Sequence, residues 1–178
     1  GGVIYLNPEK YAMPDSTDIS AQLKYSSNTL GTDANIGFKH SGEEFKYLVR
    51  GAFSNHSDYK TGNGLRVTNS RFKEYDLKTG VGFQNQKIKS DLRYNYSESH
   101  IGIPEEIGAQ TTSKEMHEPY QEITNHIISL DNRIYLSQSS MDFKIGYFHN
   151  GRKEFEEHHE HDGHENEEEH DEAALNMQ

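Results

Sequence analysis

Between residues 153 and 172 the chain reads KEFEEHHEHDGHENEEEHDE, and its residue types are those that hold metal ions. Five of the eleven histidines fall here, His158, His159, His161, His164 and His170, with Glu160 and Asp162 set between them. Neutral imidazole and carboxylate suit borderline and harder divalent cations, and Zn²⁺ typically takes about four N, S or O ligands. His159 and His161 are two apart and point the same way on an extended segment, whereas His161 and His164 can meet around a turn at Gly163. Several ligand sets are open, as in an exchangeable collector, and imidazole ligands release metal as they protonate near pH ~6.5. The competing reading is a solvated acidic surface that holds Ca²⁺ or Mg²⁺ loosely. From Glu154 to Glu172 there are eleven acidic side chains and no Lys or Arg, so with a net charge of −11 the remainder of the chain is close to neutral. Such a field raises the local cation concentration.

Almost nothing in the tract can be buried, so other elements must display it. Those elements read as strands. Residues 17–26 place Ile19, Ala21, Leu23 and Tyr25 on one face, and 33–40 do the same with Ala34, Ile36 and Phe38. Residues 45–54 alternate Phe45, Tyr47, Val49, Gly51 and Phe53 against Lys46, Leu48, Arg50, Ala52 and Ser54. The pattern continues through 74–84 (Tyr75, Leu77, Thr79, Val81, Phe83), 87–96 (Ile88, Leu92, Tyr94, Tyr96), 121–137 (Ile128, Leu130, Ile134, Leu136) and 141–150 (Met141, Phe143, Ile145, Tyr147). Period 2 sustained over seven segments predicts an all-β chain with one apolar and one wet face per strand. Ala173 to Gln178 reads as the start of an eighth strand.

Connections alternate in length. Tight turns are predicted at 41–43, 84–86 and 137–140, and long polar loops near 55–69, 98–119 and 153–172; the first hairpin, around 28–32, is the exception. Strands of about ten residues joined in this way are what a membrane-spanning barrel requires, while no window holds the ~20 apolar residues of a spanning helix. The chain has 178 residues, 31% apolar, with 11 Tyr and 8 Phe, which agrees with strands that are wet on one face. It has no Cys, which removes disulfides, thiolate ligands and a Cys nucleophile. No GxSxG, HExxH, P-loop or Rossmann pattern occurs, and the acidic balance disfavours nucleic acid, so neither an enzyme nor a nucleic-acid binder is expected. The opening Gly1-Gly2-Val3-Ile4-Tyr5-Leu6 carries neither an initiator Met nor a signal sequence, so the chain reads as mature, trimmed or internal.

Three stretches together resemble TonB-dependent outer-membrane receptors: Gly1 to Lys10 (GGVIYLNPEK), Tyr59 to Phe72 (YKTGNGLRVTNSRF) and Gly146 to Phe155 (GYFHNGRKEF). The resemblance implies that residues 1–12 end a plug and that 13–178 form part of an antiparallel up-and-down transmembrane β-barrel, an incomplete segment of about seven to eight strands. Full barrels of this kind have about 22 strands. It further implies a Gram-negative outer membrane, lipid around the barrel, a plug and further strands as intramolecular partners, and the TonB complex acting through a region absent from this chain. A His- and acid-rich loop at this place is similar to that of zinc-uptake receptors, so a divalent metal, with Zn²⁺ ahead of Cu²⁺ or Ni²⁺, is the expected cargo and no cofactor is required. Two alternatives stay open: a receptor for ferric siderophore, haem or another nutrient, and a soluble β-rich protein that sequesters metal. His40, His126 and His149 fall in strands; His56, His100 and His117 fall at or near the long-loop ends, where facing the same vestibule as the tract is the minority reading. Arg50, Asp76, Lys78, Asp91, Arg93 and Lys144 read as charge ladders on the wet face. Tyr25, Tyr47, Tyr94, Tyr96 and Tyr147 suit an interfacial girdle or, equally, a soluble sheet core.

Overall fold

The computed structural model describes residues 8–104 and 106–156. Seven strands form one open antiparallel sheet in chain order: β1 (Ser16–Ser26), β2 (Gly31–Ser41), β3 (Phe45–His56), β4 (Phe72–Gln84), β5 (Ile88–Gly102), β6 (Tyr120–Tyr135) and β7 (Ser140–Phe155). Among the described residues β1 and β7 are its two edges. The expected eighth strand and the His-rich tract from residue 157 onward lie outside the described residues.

All seven predicted strands are present, and two are longer than their alternation indicates. The loop expected from residue 98 begins at 103, because Glu98 to Gly102 stay in the ladder opposite Thr124 to Tyr120. The tract expected from 153 leaves the sheet only after Phe155, which pairs with Tyr120. Apart from Ile101 and Phe155 both extensions are polar, so backbone pairing continues where hydrophobic alternation has ended. The turns are tight as predicted: Gly42 N donates to Phe45 O, Asn85 N to Ile88 O and Leu136 N to Ser139 O. Asn85 adds a side-chain clamp, its Oδ1 accepting from Lys87 N at 2.9 Å and Ile88 N at 2.8 Å.

Register decides how the faces add up, since a slip of one residue would turn a strand's apolar set to the other side. It brings all seven apolar sets to one face. Ile19, Phe38, Val49, Thr79, Tyr94, Ile128 and Tyr147 stand in one cross-strand row. The apolar band is oblique to these rows. On β1 it runs from Ile19 to Tyr25, yet Tyr25's row reaches β7 at Lys153, six residues past Tyr147, where the β7 band ends. Ile19's row reaches β7 at Tyr147, six residues past Met141, where the β7 band begins. Both margins thus drop by about 20 Å across six strand spacings of about 4.8 Å, a slant of about 35°.

The apolar face is uncovered: Ile19, Leu23 and Ile36 are 74%, 76% and 63% exposed. The opposite face carries Arg50, Asp76, Lys78, Asp91, Arg93 and Lys144, as predicted, together with Lys39, and is crossed by residues 8–14. That segment covers Leu48, one of the two buried apolar residues among those described, the other being Ala12 within the segment itself.

Candidate functional site

None of the predicted ligands, His158, His159, His161, His164, His170, Glu160 and Asp162, lies within the described residues. The root of the tract does. Phe155 stacks on Tyr120 with ring centroids 4.4 Å apart, and charged side chains crowd nearby: Arg152 with Glu154, Lys153 with Glu122, and His100 between Glu98 (2.8 Å) and Glu122 (3.4 Å). Among the described residues no group of three or more His, Asp and Glu side chains is arranged to hold a metal ion.

His56, His100 and His117, near the long-loop ends, are separated. His56 is buried on the wet face, its Nδ1 2.7 Å from Thr29 Oγ1 and its Nε2 2.8 Å from Asp33 Oδ1, stacked on Phe72. A Cβ at Gly31 would fall 2.0 Å from His56 Nδ1, so glycine is required there for the ring to close over the hairpin. His100 belongs to the opposite, apolar-side row, and His117 is exposed in the loop after β5. The separation follows from pleating: His56 and His100 both lie near loop ends, but their positions alternate to different faces.

At that end of the sheet three connections knit into one cap. Asp58, fully buried, accepts from Arg71 Nε at 3.1 Å and Nη2 at 2.7 Å, while Arg71 Nη1 donates to Glu115 O at 2.8 Å in the loop after β5. Buried Arg66 donates to the carbonyls of Asn28 and Asp58. Asn28 exchanges hydrogen bonds with the Lys60 backbone, and Asn69 Nδ2 reaches Pro119 O at 2.6 Å. The sequence pointed to a long loop here; the buried Asp58–Arg71 pair carried no signal in it.

On the wet face the segment before β1 is pinned at two points. Glu9 takes Arg50 in a forked pair, 3.0 Å from Nε and 2.8 Å from Nη2, with Lys39 at 3.5 Å. Arg50's hydrogen bonds hold the Glu9 carboxyl below the usual carboxylate range. Tyr11 lies over a glycine floor: a Cβ at Gly80 would come 2.9 Å from its hydroxyl, and one at Gly82 3.3 Å from its ring. Its OH donates to Asp91 Oδ1 at 2.8 Å, and Arg93 stacks on the ring at 4.1 Å. Burial, then Asp91, pushes the Tyr11 phenol well above its ordinary value. Arg93 completes the clasp by donating to Glu9 O at 2.9 Å.

Comparison with known proteins returned no matching family, no matching curated protein and no matching solved structure.

Proposed function

We propose that this chain is a segment of a TonB-dependent outer-membrane receptor, the pinned segment before β1 being the exit of the plug, and that its acidic His-rich tract captures a divalent metal, zinc foremost, for import. The slanted band carries the reading. Strands of transmembrane barrels tilt by about 35–45° from the barrel axis and bear an apolar belt on one face, so a level belt crosses their rows at about that angle. The slant of about 35°, the uncovered apolar face and a wet face already occupied by preceding chain all fit a wall between lipid and plug. The tract leaves from the end that carries the long loops, which in this reading is the extracellular one. Metal capture rests on the tract's composition alone.

Import of another nutrient is a second reading, favoured by the middle of the wet face. There Lys39, Arg50, Lys78 and Arg93 stand close together, with Glu9 and Asp91 paired to three of them. An anionic cargo suits that wall better than a bare cation.

The test is a Zn²⁺ titration of the full chain in detergent, repeated with His158, His159, His161 and His164 changed to Ala and, separately, with His40→Ala. Fewer bound Zn²⁺ equivalents at pH 7.5 in the first variant alone supports capture by the tract; equal effects from both would sink it.

A further inference from the structure

We propose a second, two-histidine metal site on the apolar face, formed by His126 and His149 and suited to a borderline divalent ion such as Cu²⁺, Ni²⁺ or Zn²⁺. The two residues are direct partners across β6 and β7, and their ring centroids are 6.0 Å apart with planes tilted by 41°. Two imidazoles sharing one tetrahedral ion, each nitrogen about 2.1 Å from it, have centroids about 5 Å apart. A small rotation of His149 closes the difference. It is free to make one, since it is exposed and has no side-chain hydrogen bond among the described residues.

The neighbours prepare His126 for ligation. Its Nδ1 is 2.9 Å from the Tyr94 hydroxyl, a contact that orients the ring and, with Nδ1–H as donor, leaves Nε2 as the lone-pair nitrogen. A ligating imidazole is ordinarily fixed in this way by a partner on its other nitrogen. Tyr96, whose ring lies 5.1 Å from His126, donates its own hydroxyl to Glu98 and does not compete. Gly151, the next residue on that face of β7, puts no side chain beside His149; a Cβ there would touch Nε2 in ordinary contact at 3.9 Å. Two protein ligands leave the remaining positions to water, so the site is open and exchangeable, and imidazole favours Cu²⁺ or Ni²⁺ over Ca²⁺ or Mg²⁺. A bound ion would tie edge strand β7 to β6 and stabilise the strand that leads into the tract.

The experiment isolates the pair from the tract. The full chain carrying H158A, H159A, H161A, H164A and H170A is titrated in detergent with Cu²⁺ and Ni²⁺, with Ca²⁺ as control. It should retain one equivalent of Cu²⁺ whose paramagnetic resonance spectrum shows two coordinated nitrogens. Adding H149A should weaken binding about tenfold or more and leave one nitrogen, and adding Tyr94→Phe instead should weaken it about tenfold. His149 is exposed on an edge, so the H149A fold is checked by circular dichroism. No Cu²⁺ bound by the five-alanine chain, or a nitrogen count and affinity unchanged by H149A, overturns the site. Because the tract is disabled throughout, neither outcome depends on whether it captures metal.

Discussion

Tyr11 and Asp91 are eighty residues apart in sequence and 2.8 Å apart in space, and their hydrogen bond closes the clasp that holds residues 8–14 against the wet face. Removing the hydroxyl with Tyr11→Phe leaves the ring on its glycine floor but deletes that bond, a loss of about 1 kcal/mol. Gly80→Val acts from the other side, pushing branched carbon into the space of the phenol and the Arg93 stem. Hydrogen exchange of residues 8–14 should accelerate modestly in the first variant and far more in the second, with β6 and β7 unchanged. Equal protection in both would show that the glycine floor does not position the segment.

The same clasp has an acid limit set by Glu9. Its carboxyl is held below the ordinary value of 4.5, chiefly by hydrogen bonds from Arg50. A group whose folded value is depressed adds stability that is fully present above the unfolded value and lost as pH falls through the folded one. Protection of residues 8–14 should therefore be flat from pH 7 to about 5 and fall off below about 4. Glu9→Gln should lower it at neutral pH and remove that acid-dependent step; a wild-type loss centred near pH 6 would point to another group.

Much of this architecture was legible from the chain, and the failures have physical causes. The apolar face was readable because every strand places most of its Phe, Tyr, Val, Ile and Leu at one parity, Leu48, Ile127 and Phe148 being among the exceptions, and register can satisfy that pattern only by aligning them. The upper ends of β5 and β7 were not, since Ser97 to His100 and Asn150 to Glu154 are polar on both faces. The docked segment left one clue, Leu48 set between Lys46 and Arg50 on the wet parity; it needed a cover, and the docked segment brings Pro8 and Glu9 beside it. Glycine weakens a strand taken alone, and the role of Gly80 and Gly82 depends on a tyrosine about seventy positions earlier.

The cap over the long-loop end depends on Asp58 and Arg71. Both are buried, so taking away one partner strands the other's charge, at a cost of about 3–5 kcal/mol. Arg71→Ala should also free the Glu115 carbonyl and so loosen the loop after β5. Limited proteolysis should cut within 106–117 in this variant while the wild type resists. Cleavage confined to 59–65 would mean that Arg71 does not join the two loops.

The apolar face offers the sharpest contrast between a lipid-facing wall and a soluble sheet. Val49 lies in the middle of the β3 band, between Phe45 and Phe53, and Ser97 lies on the other face. An arginine at the midplane of a lipid-facing strand costs about 2–4 kcal/mol, whereas a wet wall accepts one with little change. Val49→Arg should reduce insertion of the chain into liposomes, read by flotation and protease protection, and Ser97→Arg should leave it near wild type. In detergent-free buffer the order should reverse for aggregation, because the arginine breaks up an exposed apolar patch and keeps Val49→Arg more soluble than wild type. If both variants insert equally and the wild type stays monomeric without detergent, the sheet is a soluble one and the metal-sequestering alternative takes the place of the receptor.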